Sequence, residues 1–421
     1  MVAETRRLRI AVVTQYFHPE NFRINDLVAT LADRGHDVQV VAGYPNYPSG
    51  RFAEGDGGIL PRRERALGAR VTRVPLLPRA SASPARLVAN YLSFAVSASC
   101  LAPVLVKGPI DIVFAYQPSP ATVAVPALAL ARRHRVPALM WVQDLWPQTL
   151  TSMGLLSSDR SQGVANALVG SLHRRMDALL VQSAAFRRPL EAQGVEPTRI
   201  HDVPNWAEDF YRPVVVPLDA PERRRIGPGF TVLFAGNLGE AQGLDTLVGA
   251  AERLSDVPDL RWLIVGEGRR LQWLTGEIAD RGLEGRVQTL GRQPPDRMPT
   301  WFALADVLVA TLRSDPVYEL TIPSKLQSYL ACGRPVVASL DGEGARIVRQ
   351  ADAGETCPAG DPGELAAAVR RVYDAAPGRR IEMGLAGRAY YTQHFDRVAV
   401  IDRIEQLLIQ QVVHPRKRAK R

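Results

Sequence analysis

Residues 8–42, LRIAVVTQYFHPENFRINDLVATLADRGHDVQVVA, decide the fold class. Residues 8–14 are mostly β-branched and predict a strand, and apolar residues between 24 and 31 recur at helical spacing. Gly35 follows as a natural helix stop, and residues 38–42 form a second apolar run. A strand, a helix and a strand in this order predict a βαβ unit, and such units build parallel sheets.

The same alternation recurs along the chain. Further apolar runs predict strands at 111–115, 138–142, 178–182, 230–235, 261–266, 287–291, 307–311 and 335–338. Helical patterns are found at 121–131, 244–254, 269–281, 298–305 and 325–332. We therefore predict an α/β fold with two doubly wound, Rossmann-like domains. Because open parallel sheets bind ligands at the carboxyl ends of their strands, a central cleft between the domains is the expected site.

The domain boundaries follow from length and composition. A chain of 421 residues with 46% apolar residues is large enough for two ordinary cores. Prolines after residue 203 indicate a linker, so we place the domains at 1–203 and 204–395. A C-terminal helix at about 396–413 is expected to return to the first domain, and residues 414–421 form a basic tail.

The net charge of +9 is consistent with anionic partners. The basic residues are dispersed apart from the tail, which disfavours nucleic-acid binding. The tail is interpreted either as a disordered, solubilising segment or as a segment attracted to lipid headgroups. Three widely spaced cysteines and an N-terminus without a signal-peptide pattern favour a reducing, cytoplasmic location.

Residues 87–106 carry no charged side chain and are flanked by Arg86 and Lys107. Twenty such residues are long enough for a hydrocarbon core, but Asn90, Pro103 and several serines make the segment a poor membrane span. Two interpretations stay open, a buried or partly exposed core helix and a surface that dips into one leaflet.

Three segments carry the strongest chemical signals. Glycines at 236–243 and 266–268 follow predicted strands, where close backbone approach and helix N-termini favour a phosphate or, alternatively, make a tight turn. The third segment, at 318–325, ends at Lys325 in the first turn of a predicted helix. The helix dipole disfavours a cation at that position, and a bound diphosphate would relieve the conflict, whereas the alternative is a solvated surface lysine.

Several segments carry a family resemblance. Those of the second half are FAGNLGEAQGLDTLVGAAERL, LIVGEGRRLQWL, PSKLQSYLACGRPVVAS and AGETCPAGDPGELAAAV, and those of the first half include MWVQDLWPQ and the hinge VPNWAEDFYRP. Through these segments, most of the chain resembles the family 4 retaining glycosyltransferases. Within that family the chain is most similar to bacterial surface-polysaccharide transferases such as N-acetylfucosaminyltransferases. The resemblance implies the two-domain GT-B fold and transfer of a sugar, with retention, from a nucleotide-linked donor.

The resemblance also implies roles for individual residues. Asp144, Glu319 and Lys325 would be catalytic. The donor would contact Gly236, Asn237, Gln242, Gly243, Gly266, Glu267, Gly268, Leu320, Thr321, Pro323, Ser324 and Ser328. Asn21, Phe22, Arg23 and Gln143 would face donor and acceptor, and Asn205 would lie at the hinge. No metal or cofactor is expected, because a GT-B site stabilises the departing diphosphate with dipoles and cations.

The chain departs from the family pattern at several positions. The second of two family glutamates is replaced by Ser328, and a family histidine is replaced by Gln143. Asn237 and Gln242 stand where many relatives place arginine and lysine, so charge compensation is expected from Lys325 and Arg23.

The expected function is transfer of a sugar, with a UDP-sugar favoured, to a lipid-linked or glycan acceptor in surface-polysaccharide synthesis. The expected place is the inner face of the cell membrane, with peripheral contact. Two alternatives stay open: a UDP-sugar 2-epimerase of the same architecture, and a non-catalytic subunit that binds sugar nucleotides.

Overall fold

The computed structural model describes residues 6–416 except 48, 53–54, 81–82, 153, 155 and 157. The chain forms two compact units, one comprising Met1–Val203 with Ile401–Arg421 and the other Pro204–Val400. Lys417 to Arg421 of the predicted basic tail lie outside the described residues.

The first unit contains an eight-stranded sheet with the order β3-β4-β2-β1-β5-β6-β7-β8. All neighbours pair in parallel except β3, which runs antiparallel to β4 at one edge. The strands are β1 Arg9–Thr14, β2 Asp37–Gly43, β3 Arg62–Ala66, β4 Ala69–Val74, β5 Ile112–Gln117, β6 Ala138–Val142, β7 Ala178–Val181 and β8 Ile200–Asp202. The helices are α1 Arg23–Asp33, α2 Pro84–Leu105, α3 Ala124–His134, α4 Gln148–Ser152, α5 Asp159–Arg175 and α6 Arg187–Ala192.

The second unit contains a six-stranded, all-parallel sheet with the order β11-β10-β9-β12-β13-β14. Its strands are β9 Phe230–Ala235, β10 Leu260–Val265, β11 Val287–Gly291, β12 Val307–Thr311, β13 Val336–Ser339 and β14 Gly354–Cys357. Its helices are α7 Pro221–Ile226, α8 Leu244–Arg253, α9 Leu271–Asp280, α10 Met298–Leu304, α11 Pro316–Glu319, α12 Ser324–Ala331, α13 Gly342–Gln350, α14 Pro362–Asp374 and α15 Pro377–His394. The last helix is α16 Arg397–Val413.

The prediction of two Rossmann-like parallel sheets is confirmed. The central strands are buried on both faces and therefore appear in the sequence as continuous apolar runs. The edge strand β3, with the sequence RRERA, was not predicted, because its side chains alternate between half-buried and exposed positions and include no large apolar residue. The predicted helix at 121–131 begins with a 3₁₀ turn at Ala121–Val123 before α3.

Helix α2 is long and apolar enough to cross a membrane by length and composition alone. Its inner side packs on the first unit through Asn90, Tyr91 and Phe94, all of them buried. It exposes Val88, Leu92, Val96, Cys100 and Val104, which recur every four residues and so form one stripe that winds by about 40° around the helix axis at each step. We call these five residues the α2 stripe. The helix is thus neither wholly buried nor wholly exposed.

The carboxylate of Glu405 in α16 anchors the C-terminal segment to the first unit. Glu405 is 5% exposed and accepts hydrogen bonds from Arg34 and from His36, whose Nε2 lies 2.9 Å from Oε1 of Glu405. Arg34 also pairs with Asp402 at 2.7 Å. One turn of α16 therefore carries two acidic residues that meet a basic pair at the end of α1.

We expect Glu405→Ala to lower the free energy of unfolding by about 2–4 kcal/mol, because it leaves the buried His36 and the half-buried Arg34 without their carboxylate. The effect is measured by urea denaturation followed by circular dichroism.

Glu382→Ala is the matched control, since the Glu382 side chain is 68% exposed and pairs with Arg379 on the surface. It should change stability by less than about 0.5 kcal/mol. Equal effects of the two substitutions would show that Glu405 is not an anchor.

Candidate functional site

Two loops of the second unit meet where β9 and β10 end. A Cβ atom built on Gly266 would lie 1.8 Å from the carbonyl oxygen of Gly236, so only glycine allows this approach. A Cβ on Gly268 would likewise lie 2.2 Å from the carbonyl oxygen of Leu238. The amides of Gly236, Leu238 and Gly266 donate to main-chain oxygens of the neighbouring loops. These glycines therefore shape the loops, and the N–H groups of Gly236 and Gly266 are already engaged.

Lys325 projects from the first turn of α12 into the space beside Gly236. Its Nζ donates to Oε1 of Gln242 over 2.6 Å and lies 3.9 Å from the centroid of the Phe234 ring. A Cβ built on Gly236 would lie 3.4 Å from the same Nζ. Residues from β9, the loop before α8 and α12 thus converge on one ammonium group.

Burial lowers the pKa of Lys325 to about 7. The residue keeps part of its surface exposed, but protein surrounds the ammonium. Within the part of the chain that the structure describes, Lys325 forms no ion pair, and an aromatic face and an amide oxygen compensate only part of the charge. An anion bound here would complete the compensation and raise the pKa.

The loop before α8 is held in place by the end of β12. Oγ1 of Thr311 donates to the carbonyl oxygen of Gln242 over 2.6 Å, and the amide of Arg313 donates to the carbonyl oxygen of Ala241 over 3.0 Å. Gln242 therefore reaches Lys325 from a fixed backbone.

The loop between β12 and α12 forms the wall of a small pocket together with the start of α13. Its lining includes Arg313, Asp315, Tyr318, Glu319, Thr321, Pro323, Asp341 and Gly344. Arg313 pairs with Asp315 at 3.1 Å and stacks its guanidinium 5.7 Å from the Tyr318 ring. The side chain of Asp315 also caps α11 by accepting from the amide of Val317. Sequence reasoning missed Arg313, although a basic residue two positions after the end of β12 was a visible signal.

The remaining predicted donor residues occupy the same edge of the second sheet. Asn237, Glu267, Glu319 and Ser324 are exposed, whereas Gly243 is buried. Gly236, Gly266, Gly268, Leu320, Thr321, Pro323 and Ser328 are half-buried. The structure brings Gly236, Gln242 and Lys325 into contact and places Glu319 and Thr321 in the pocket of the β12–α12 loop. The contacts that the structure gives Ser328 are those of its helix backbone.

In the first unit, Asp144 follows β6 and has a defined hydrogen-bond environment. One carboxylate oxygen accepts from Nε1 of Trp146 over 3.2 Å, and the other accepts from the hydroxyl of Thr149. Burial raises the pKa of Asp144 to about 6. The carboxylate is thus held in one orientation and changes charge close to neutral pH. This combination suits a group that accepts or orients a hydroxyl proton.

The predicted loop at 21–23 borders an aromatic cluster. Phe22 stacks on Tyr16 with ring centroids 5.0 Å apart, and Tyr47 lies 5.3 Å from Phe22. Asn21 is exposed, and Arg23 is the first residue of α1. The structure adds Arg79, whose guanidinium lies 5.2–5.7 Å from the rings of Tyr16, Tyr47 and Tyr91. No local sequence pattern pointed to Arg79.

The carboxylate of Glu20 holds the main chain around the same loop in place. It is 5% exposed and accepts from the amides of Asn46 at 2.8 Å, Tyr47 at 2.7 Å and Phe17 at 3.2 Å. Burial raises the pKa of Glu20, against the opposing effect of these hydrogen bonds. Glu20 therefore supports the loop, and its oxygens are occupied.

The described residues include no group of three or more His, Cys, Asp or Glu side chains that could hold a metal ion. The cysteines within those residues are unpaired, with Cys100 exposed and Cys332 and Cys357 buried.

Sequence comparison agrees with this arrangement of two units. Residues 21–206 match the profile of the glycosyl transferase 4-like domain, and residues 229–375 match that of glycosyl transferases group 1. The chain belongs to the family 4-type glycosyltransferases. Each unit thus carries one of the two domains of that family.

Several relatives are recognisable along much of the chain. The putative colanic acid biosynthesis glycosyl transferase WcaI of Escherichia coli is 26% identical over 75% of this chain and 78% of its own length. The D-inositol 3-phosphate glycosyltransferase of Acidothermus cellulolyticus is 34% identical over 47% of this chain and 45% of its own length.

Solved structures share the fold at low sequence identity. The HepE protein of Anabaena, crystallised with UDP and glucose, has a TM-score of 0.71 at 17% identity and covers 96% of this chain and 100% of its own. The sucrose-phosphate synthase of Thermosynechococcus elongatus has a TM-score of 0.73 at 18% identity, with coverage of 97% and 100%.

We expect the Lys325 ammonium to titrate near pH 7 in the free protein, and the protein to become more stable as the pH rises from 7 towards 10. The sign follows because the unfolded lysine keeps its proton up to about pH 10.4 and so binds more protons than the folded one in that range. Heteronuclear NMR of labelled lysine Nζ groups and thermal denaturation against pH check the two effects.

Lys325→Met is the diagnostic variant. It should remove the resonance that titrates near 7, abolish the rise in stability that this group causes, and raise the melting temperature at pH 7. A Lys325 resonance with an ordinary lysine pKa would contradict the burial argument.

Proposed function

We propose that the protein transfers a sugar from a nucleotide-sugar donor, with a UDP-sugar favoured, to a lipid-linked or glycan acceptor. The observation that carries the proposal is the buried ammonium of Lys325 beside the glycine loops of the second unit. A diphosphate is the anion that such a strand-end site accommodates, since it adds the charge that Gln242 and Phe234 do not supply. HepE, which shares this fold, was crystallised with UDP, which supports the same class of donor.

We assign binding and stabilisation of the leaving diphosphate to the second unit. Negative charge builds on the diphosphate as the glycosidic bond breaks, and a cation held in a fixed position stabilises that charge without reorganising. Lys325 is therefore proposed to gain a full positive charge when the donor binds. The β12–α12 loop, with Glu319 and Thr321, is proposed to contact the donor sugar.

We assign binding of the acceptor to the first unit. Asp144 is proposed to orient the attacking hydroxyl through a carboxylate oxygen, and Trp146 and Thr149 keep that carboxylate in position. Transfer with retention is proposed to proceed by attack on the same face from which the diphosphate departs, so that the leaving phosphate accepts the hydroxyl proton. Family membership and the similarity to WcaI support a role in surface-polysaccharide synthesis; a specific kinship with N-acetylfucosaminyltransferases stays a prediction.

The α2 stripe supports a proposed place at the membrane. Val88 is 44%, Leu92 51%, Val96 65% and Val104 71% exposed, and the stripe spans about 24 Å along the helix. Lys107 and Arg133 line a shallow pocket beside Val104 at the end of α2. An apolar stripe that ends in cations fits an anionic lipid interface, where the chains enclose the stripe and the headgroups pair with the cations. We propose that the enzyme works at the inner face of the cell membrane.

The donor assignment predicts that the protein converts a UDP-sugar and a lipid-linked sugar acceptor into a longer lipid-linked glycan and UDP. Lys325→Met should lower kcat/KM for the donor by at least about a hundredfold, because the site loses its cation in the transition state. Product formation is measured with a panel of UDP-, GDP-, ADP- and dTDP-sugars.

Lys325→Arg keeps a cation and serves as the matched control, with a smaller loss of kcat/KM than Lys325→Met.

The rate of transfer should fall below pH about 6 as Asp144 becomes protonated, and Asp144→Asn should remove that acidic limb of the pH profile. Conversion of the UDP-sugar into another nucleotide sugar without acceptor would assign the protein to the epimerases instead.

The membrane assignment predicts binding to vesicles of phosphatidylcholine with phosphatidylglycerol. Val96→Asp should lower the bound fraction by about tenfold or more, since a carboxylate at the centre of the stripe opposes burial in the interface. Binding is measured by co-sedimentation and should weaken with added salt.

Ile381→Asp is the matched control, because Ile381 is 64% exposed on α15 of the second unit and lies outside the stripe. It should bind vesicles as the unsubstituted protein does. Unchanged binding of Val96→Asp would contradict the proposed surface.

A further inference from the structure

We propose that a row of glutamines at the carboxyl edge of the first sheet forms the subsite for the hydroxyl groups of a sugar on the acceptor. The row consists of Gln15, Gln117, Gln143 and Gln182, and we call it the glutamine row. This inference rests on the proposed function and specifies which chemical group of the acceptor reacts. It assigns the acceptor end as a neutral sugar and excludes a lipid phosphate.

The row arises because four neighbouring strands end within about one residue of each other, with Gln117 opposite Val142, the residue before Gln143. The strands β1, β5, β6 and β7 are consecutive neighbours in the sheet, and each ends on a glutamine or immediately before one. The four strand ends have the sequences VVTQ, FAYQ, MWVQ and LLVQ. Because adjacent parallel strands lie about 4.8 Å apart, the row extends roughly 15 Å along the edge where parallel sheets bind ligands.

Main-chain carbonyls fix the orientation of two of these amides. Nε2 of Gln117 donates to the carbonyl oxygen of Asp144 over 3.0 Å, and Nε2 of Gln182 donates to that of Gln143 over 3.5 Å. A carbonyl oxygen only accepts hydrogen bonds, so the nitrogen must face it and the side-chain oxygen must point elsewhere.

Gln15 is oriented through one intermediate. Asn90 donates to the carbonyl oxygen of Leu77 over 2.6 Å, which leaves Oδ1 of Asn90 to accept from Nε2 of Gln15, also over 2.6 Å. All three side chains are therefore held with the amide nitrogen engaged.

The oxygens Oε1 of Gln15, Gln117 and Gln182 accept no hydrogen bond from the described residues. The three side chains are 1%, 0% and 3% exposed. Buried acceptors are paired in nearly all proteins, so three unpartnered acceptors at one sheet edge point to a ligand that brings donors.

The acceptor lone pairs of these three amide oxygens determine which chemical class of ligand fits the subsite. A phosphate at neutral pH offers mainly acceptor oxygens and a negative charge, and both are repelled by amide oxygens. Sugar hydroxyls offer donors without charge. A subsite of this kind also rejects analogues that lack the hydroxyl, because its buried oxygens then stay unpaired.

The edge is accessible at the middle of the row. Gln143 and Asp144 follow β6 directly and keep part of their surface exposed. Gln117 and Gln182 bond to the backbone of these two residues and their oxygens are enclosed, so the proposal requires this backbone to move when a sugar hydroxyl binds. The same approach brings the sugar to the carboxylate of Asp144.

The test replaces the amide by a side chain of similar shape without the oxygen. Gln117→Met and Gln182→Met should each raise KM for a lipid-linked sugar acceptor by about tenfold. KM for the UDP-sugar and its slow hydrolysis without acceptor should stay unchanged. The unsubstituted enzyme should discriminate against acceptors that lack single hydroxyls, and each variant should lose part of that discrimination.

Gln39→Met is the matched control, since Gln39 is 9% exposed in β2 of the same sheet but lies away from the carboxyl edge. It should leave acceptor KM unchanged. The proposal is overturned if both row variants keep the original KM and discrimination, or if polyprenyl phosphate without a sugar is used as well as the lipid-linked sugar. Absence of transfer from every nucleotide sugar by the unsubstituted protein would instead reject the proposed function.

Discussion

The ammonium of Lys325 is a charge that the protein buries without a counter-charge among the described residues. An amide oxygen and an aromatic face surround it, and burial brings its pKa to about 7. The glycine loops and the tethers from β12 to the loop before α8 hold the groups that contact it. Folding thus tolerates an unfavourable charge at one sheet edge, which is typical of a site prepared for an anion.

The first sheet shows the opposite polarity at its corresponding edge. Its carboxyl end presents three amide oxygens that accept no hydrogen bond from the described residues and a carboxylate whose pKa is raised to about 6 by burial. The edge of the second sheet thus offers a cation to an anion, and the edge of the first sheet offers three acceptor oxygens to hydroxyl donors. Transfer of a sugar from a diphosphate to a hydroxyl requires one substrate of each kind, so the two edges complement the two halves of a glycosyl transfer reaction.

Helix α2 connects this acceptor chemistry to the proposed membrane surface. Leu92 belongs to the exposed stripe, whereas the adjacent Tyr91 contacts Trp146, whose indole donates to Asp144. Asn90, one residue earlier, orients Gln15. The helix proposed to lie on lipid with one side thus packs with its other side behind the groups proposed to bind the acceptor. This arrangement suits a substrate whose sugar is attached to a lipid.

The sequence alone determined the two parallel sheets, because strands buried on both faces appear as apolar runs and the helices between them have a regular period. It also indicated the glycines at the ends of β9 and β10 and the unusual place of Lys325 in a helix N-terminal turn. Only the tertiary structure decided which distant residues meet. Gln242 and Lys325 are 83 residues apart. No local period marks Arg79 among three tyrosines or the four glutamines at neighbouring strand ends. Periodicity depends on neighbours along the chain, whereas burial, pKa and hydrogen-bond orientation depend on contacts between strands and loops that folding brings together.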